Sequence, residues 1–307
     1  MSTRRQFIAG TSALAGSFLL GSTPIRAFAA ASATLRTRVI PASGETISVI
    51  GMGTSGSFEV PARSPQYQDL KEVLRRFFDG GGTLIDTAPT YGNAEDNLGS
   101  LLAELGLRER AFIATKLSGV TGRDEGLAQF NDTLKRLQTD KVELLQVHNL
   151  RDWKTQLALA RELKEQGKVK YVGVTHFLES AQDELADVVQ QTRPDFLQIN
   201  YSVTQRGAEK RVFPLAKELG VAVLANRNFN DGALFDRVKG KSLPGWAKEA
   251  GITSWAQMFL KFALSEDAVT VVIPATGKPD RQSDNLKAGL GPLLTPTQKA
   301  ELIALVG

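Results

Sequence analysis

Asp86, Tyr91, Lys116 and His148 supply an acid, a phenol, an amine and an imidazole, each where a short apolar run gives way to a loop. The runs are TLI (83–85), AFIAT (111–115) and VELLQV (142–147). A free phenol, with a pKa of about 10, is a poor acid at neutral pH. A neighbouring ammonium favours the phenolate and lowers that value. Lys116 is the available cation, so it is expected to pull Tyr91 down, with Asp86 holding Lys116 charged and oriented. His148 can donate to the same oxygen that Tyr91 protonates. Such a set handles a carbonyl oxygen while a hydride reaches the adjoining carbon. Singly, each residue has an ordinary explanation: a turn cap, a loop aromatic, a solvated strand end, a buried histidine. Their recurrence at successive run ends, with His148 one of two histidines in the chain, argues for a shared site.

The elements that must position them alternate along the chain. A first hairpin is expected from TLRTRVI (34–40), the turn PASGE (41–45) and TISVIGM (46–52). Strand candidates follow at 48–50, 83–86, 111–116, 142–148, 171–175, 196–200, 221–225 and 269–273. Helical patterns lie at 67–79, 94–105, 124–138, 153–167, 179–190, 207–219, 253–264 and 280–288. In the first of them Leu70, Val73, Leu74 and Phe77 share one face, and Gly80, Gly81 and Gly82 end it. Eight β-then-α units call for a closed (β/α)8 barrel or a doubly wound sheet. Gly51-Met-Gly-Thr-Ser-Gly56 matches G-x-G-x-x-G, which favours the sheet. A dinucleotide fold, however, opens a helix at the third glycine. Here 57–65 intervene with two prolines. The barrel is the reading kept, and in a barrel the C-terminal strand ends converge on one rim where catalytic groups gather.

Composition narrows the function classes. The chain has 307 residues and no cysteine, so disulfides, thiolate catalysis and cysteine metal sites are excluded. Its formal charge is +4, and removing Arg4, Arg5 and Arg26 with residues 1–30 leaves +1. That gives no electrostatic case for nucleic acid. Residues 1–30 read as a processing segment: Thr3-Arg4-Arg5-Gln6-Phe7-Ile8, then FIAGTSALAGSFLLG (7–21), then a small-residue tract after Arg26. The apolar stretch is shorter than the ~20 residues of a membrane span. It resembles a twin-arginine export signal. The expectation is export of a folded protein to the periplasm or beyond, no stable membrane insertion of the mature chain, and one barrel domain over 34–307.

From about residue 36 to 290 the chain resembles the aldo-keto reductases. The resemblance rests on Gly51-Met-Gly53-Thr54, Leu84-Ile85-Asp86-Thr87-Ala88-Pro89-Thr90-Tyr91-Gly92 with Glu95, Ala114-Thr115-Lys116 and Val147-His148. It continues through Val172-Gly173-Val174-Thr175, Gln198-Ile-Asn-Tyr201 and Val272-Ile273-Pro274 to Arg281 and Asn285-Leu286. The resemblance implies a TIM barrel in which NADPH delivers hydride to an aldehyde or ketone. Tyr91 would be the general acid, Lys116 and Asp86 its tuning pair, and His148 the group that orients the carbonyl. It also implies cofactor contacts from Gly53, Thr54, Thr175, Gln198, Tyr201, Arg227, Thr276 and Asn285. Three positions depart from the family: His176 stands where asparagine is usual, Asn226 where an aromatic platform is frequent, and Ala275 where a lysine is frequent. Arg281, with Lys278, is expected to recognise a 2′-phosphate, which makes NADP the expected cofactor and NAD the alternative. Phe58 and Trp153 are the candidates for apolar walls of a substrate pocket that is expected to be wide and open.

Other barrel chemistries fail on residue type. A glycosidase needs two carboxylates flanking its bond, and the fourth and seventh strands end in VHNL and ANRNF, without an acid. A zinc amidohydrolase needs several ligand histidines, so no metal is expected. The remaining alternative is a redox-sensing partner protein that binds nicotinamide nucleotide with little or no turnover.

Overall fold

A proline and a serine start the first helix. The computed structural model describes residues 34–307, and Ser64 there accepts from the backbone N–H of Tyr67 while Pro65 occupies the first helical position. Helix α1 (Pro65–Asp79) therefore begins two residues before its apolar periodicity does. The segment read as an export signal, 1–30, lies outside the described residues.

Before α1 the chain forms the expected hairpin, β1 (Thr37–Val39) against β2 (Thr46–Ser48), paired Thr37 to Ser48 and Val39 to Thr46. The next strand, β3 (Met52–Gly53), opens an eight-stranded parallel sheet. The expected strand over 48–50 is thus divided: its start belongs to the hairpin, and Ile50 makes a single parallel bridge to Val272. One extended run serves both sheets, and no turn residue marks the boundary. The other barrel strands are β4 (Leu84–Asp86), β5 (Phe112–Leu117), β6 (Val142–His148), β7 (Val169–Thr175), β8 (Phe196–Asn200), β9 (Ala222–Asn226) and β10 (Val269–Val272). They lie in sequence order, and Ile50–Val272 and Gly53–Ala275 join the last strand to the first. A side chain on Gly53 would meet the Ile273 carbonyl at 3.0 Å and the Ala275 Cβ at 3.4 Å, so any larger residue would crowd the seam.

Between strands run α2 (Ala94–Leu105), α3 (Arg123–Arg136), α4 (Trp153–Glu165), α5 (Gln182–Thr192) and α6 (Val212–Leu219). After β9 come α7 (Ala233–Arg237) and α8 (Trp255–Leu264), and after β10 come α9 (Pro279–Lys287) and α10 (Pro296–Val306). The helices expected at 179–190 and 207–219 each open with a 3-10 turn before the α-helix proper. The core has two parts. One lies between strands and helices. The other fills the barrel itself, where Leu84, Ala114, Leu144, Tyr171, Phe196, Leu224 and Val271 meet Ile40 and Ile47 of the hairpin. The Tyr171 hydroxyl bonds Ser43 and Glu45, so the hairpin closes the N-terminal end of the cylinder. The opposite end is left for the site. Among the described residues no helix is long and apolar enough to cross a membrane.

Candidate active site

Strand side chains alternate faces, so a residue two places beyond an interior one also points inward. Two residues beyond Leu84, Ala114, Leu144, Phe196 and Leu224 stand Asp86, Lys116, Gln146, Gln198 and Asn226. The barrel interior thus changes from an apolar layer to a polar one in a single step. Gly173 completes this layer from β7, where a Cβ would lie 2.9 Å from Gln146 Cγ and 3.1 Å from the Phe196 carbonyl oxygen.

The polar layer is one hydrogen-bonded network. Lys116 Nζ donates to Asp86 Oδ2 at 2.8 Å and to the Thr87 carbonyl at 2.7 Å. Asp86 Oδ1 accepts from Gln198 Nε2 at 2.7 Å and from Gln146 Nε2 at 3.3 Å. Gln198 Oε1 in turn accepts from Thr175 Oγ1 at 3.3 Å and Asn226 Nδ2 at 3.1 Å. Lys116 and Asp86 are both buried. Burial works against the Lys116 ammonium, but Asp86 and then Tyr91 outweigh it, and its pKa ends above the ordinary lysine value.

Tyr91 arrives from the loop after β4. The chain turns with Tyr91 N–H donating to the Ala88 carbonyl, and Gly92 adopts a φ of +49° before α2 begins. This carries the phenol over the rim, with Lys116 Nζ 4.9 Å from the ring centroid. The phenol's pKa is nevertheless raised. Burial is the largest influence, and the downward pull of Lys116 is partly cancelled by Asp86. The expectation of a net lowering is corrected here, because desolvation of a buried group acts against its charged form.

His148 ends β6, its ring edge-on to Tyr91 with centroids 6.1 Å apart. Its Nδ1 lies 2.6 Å from Ser118 Oγ. Burial first, then Lys116 and His176, push its pKa down to about 3. The imidazole is therefore neutral rather than cationic at physiological pH.

Asp86, Tyr91 and His148 all line a cavity of about 530 Å³ at the C-terminal end of the barrel. Lys116 lies beneath it, reaching the cavity through Tyr91 and Asp86. Gly53, Thr175, Gln198, Asn226 and Arg227 also line it, with Phe177, Phe229 and Phe235. A second cavity of about 380 Å³ shares Ser55 and Ala275 with the first and extends to Thr276, Lys278 and Arg281. Arg281 makes no ion pair among the described residues, whereas Lys278 pairs with Asp69 at 3.1 Å.

Several expected site residues lie elsewhere. Thr54 is turned inward, its hydroxyl donating to the Asp86 carbonyl at 3.1 Å. Tyr201 is buried in the core against Phe213 and Phe262, with its hydroxyl donating to Glu209 at 2.5 Å. It follows Asn200 on the outward parity of its strand, which is why it misses the barrel mouth. Phe58 is wholly buried in the outer core, and Trp153 packs against that core from the start of α4, so neither forms a wall of the cavity. His176 lies outside the lining of both cavities, stacked on Phe177, its Nδ1 accepting from the Leu178 N–H. Asn285 is buried in α9 beside the second cavity without lining it. Conversely, Ser55, Ser118, Gln146 and Asn149 belong to the site and were not singled out by motif. The alternation of faces could have found Gln146, two before His148, and Ser118, two after Lys116. Nothing local marks Ser55.

The profile of the aldo/keto reductase family matches residues 49–305. The chain belongs to that family. Aldo-keto reductase YhdN of Bacillus subtilis (strain 168) is 30% identical over an alignment 201 residues long that covers 59% of this chain and 58% of that protein. The chain spans about half the length of the curated relatives it matches. Solved structures cover more. The thermostable aldo-keto reductase Tm1743, in complex with the inhibitor epalrestat, superposes with a TM-score of 0.73 at 26% identity, over 88% of this chain and 100% of its own. An aldo-keto reductase from Klebsiella pneumoniae in complex with NADPH gives 0.74 at 25% identity, over 89% of this chain and 95% of its own. In this aldo/keto reductase the departures at His176 and Asn226 have a structural counterpart: one side chain is withdrawn from the cavity and the other is tied to Gln198.

Proposed function

We propose that this chain is an NADPH-dependent oxidoreductase that reduces an aldehyde or ketone to an alcohol, with Tyr91 as the proton donor. One observation carries the reading: a protonated phenol, a buried ammonium and a neutral imidazole meet at the floor of one cavity. The groove fits a phosphorylated dinucleotide. The first cavity lies over the polar layer, and the second, adjoining it at Ser55 and Ala275, reaches Arg281, a guanidinium without a protein partner among the described residues. The buried Oδ1 of Asn226 likewise lacks a protein partner and leaves an acceptor for an amide at the nicotinamide end. Thr175, Gln198 and Asn226 would hold that end, and Arg281 with Lys278 and Thr276 the 2′-phosphate end. Bound there, the nicotinamide supplies a hydride.

The residues of the chain handle the oxygen. A carbonyl entering the cavity accepts hydrogen bonds from the Tyr91 hydroxyl and the His148 ring. As negative charge grows on that oxygen, Tyr91 gives up its proton, and Lys116 stabilises the phenolate left behind. Asp86 keeps Lys116 charged and fixed. NADPH oxidation against a panel of small aldehydes, quinones and keto sugars tests the reading. Tyr91→Phe is expected to lower kcat by about 10²–10⁴-fold, and an unaffected rate rejects the assignment.

A second reading, a nucleotide-binding redox sensor with little turnover, is favoured by the withdrawal of His176 from the cavity. It requires tight NADPH binding without oxidation by any member of that panel. Export is proposed from Arg4-Arg5 and the tract that follows. Arg4→Lys with Arg5→Lys is expected to leave the chain in the cytoplasm, and unchanged fractionation rejects a twin-arginine route.

A further inference from the structure

Ser118 follows β5 and lies below the surface, close behind His148. Its backbone is clamped by one side chain: Gln129 Oε1 accepts from the Ser118 N–H at 2.7 Å, and Gln129 Nε2 donates to the Ser118 carbonyl at 2.9 Å. The hydroxyl is thereby delivered to one place, 2.6 Å from Nδ1 of His148. A neutral imidazole carries one proton, and the partner of one nitrogen decides which nitrogen carries it. Were Nδ1 the donor, the Ser118 hydroxyl would need another acceptor for its own hydrogen. Among the described residues it has none, and a buried hydroxyl without an acceptor is costly. With Ser118 donating, both groups are satisfied. The proton then sits on Nε2, for which no protein partner is found among the described residues, on a ring that lines the cavity.

We infer that Ser118 is a positioning residue that holds His148 in its Nε2–H tautomer, so that the ring presents a donor to a carbonyl oxygen. The inference rests on the carbonyl-reducing reading for its catalytic consequence, but the tautomer itself does not. In the other tautomer the open nitrogen would be an acceptor, and it would repel the oxygen it is meant to hold.

Nitrogen-15 NMR of the full mature chain decides the point, since two histidines give four ring signals and His176→Asn assigns them. The wild type is expected to show a pyridine-like Nδ1 and a pyrrole-like Nε2 for residue 148. In Ser118→Ala both signals move toward the average of the two tautomers, while Ser118→Thr keeps the wild-type pattern. The alanine variant retains both Gln129 bonds, which go to the backbone, so the turn is expected to fold. In NADPH oxidation, Ser118→Ala lowers kcat by about 10–100-fold, the size of effect seen for outer partners of metal-bound imidazoles, with KM for NADPH unchanged and the rate recovered in Ser118→Thr. A pyrrole-like Nδ1 in the wild type overturns the inference. So does an unaltered pattern in Ser118→Ala, or a changed pattern with an unchanged kcat. A wild type without turnover whose Nε2–H pattern is lost in Ser118→Ala supports the tautomer assignment and counts against the reductase reading instead.

Discussion

At the scale of single residues, the site turns on a buried ion pair. Lys116 and Asp86 are both withdrawn from water, which is expensive for each alone and tolerable only because each also has neutral partners. Lys116→Met leaves the Asp86 carboxylate buried against two amides. It is expected to cost about 3–5 kcal/mol, and the double variant Lys116→Met with Asp86→Leu to recover most of that loss in urea denaturation. A single variant as stable as the wild type would mean the pair contributes nothing to the fold. Tyr91 shows the same competition with another outcome. Burial raises its pKa more than Lys116 lowers it, so the resting phenol is fully protonated. On the proposed mechanism the ammonium would act when charge develops rather than before.

Elements meet at Glu95, the second residue of α2. Its buried carboxylate accepts from Thr115 Oγ1 of β5 at 2.8 Å and from Thr133 Oγ1 of α3 at 3.1 Å, with Arg136 at 3.7 Å. It thereby ties the helix that follows Tyr91 to the strand that carries Lys116. Burial is the largest influence and raises its pKa above 4.5, against the two hydroxyls and Arg136. A carboxyl with a raised folded pKa binds its proton more tightly when folded, so its contribution to stability is full below about pH 4.5 and lost as pH rises through the folded value. Glu95→Gln cannot titrate. Denaturation midpoints of wild type and Glu95→Gln are therefore expected to diverge as pH rises above about 4.5, the wild type losing ground; parallel curves would contradict this. The packing of the same helix is close elsewhere: a Cβ on Gly99 would lie 2.3 Å from the Arg136 carbonyl oxygen.

For the molecule as a whole, the two cavities adjoin at the seam of the barrel. Gly53 and Ala275 bridge the first and last strands, and Ala275 with Ser55 separates the two cavities. A dinucleotide laid across that seam would hold the cylinder closed, and a ligand at 100 times its Kd stabilises by about 2.7 kcal/mol. NADPH is expected to raise the thermal midpoint more than NADH does, and Arg281→Ala to remove that difference. The loss should be about 1.5–3 kcal/mol, as for a charge-assisted hydrogen bond. Equal weakening of both nucleotides would place recognition of the 2′-phosphate elsewhere.

The order of strands and helices could be read along the chain because both patterns are local: a period of two inside the cylinder, a period of 3.6 on its outer face, and turn residues between them. Asp86, Lys116 and His148 stand out for the same reason, as polar residues where interior-facing runs end. Direction and depth are not local. How deeply Tyr201 and Thr54 are buried depended on neighbours more than ten residues away, Phe262 for Tyr201 and Asp86 for Thr54. The sign of the Tyr91 shift was settled in the same way, because desolvation sums over every atom packed around a group, and only the folded chain says which atoms those are.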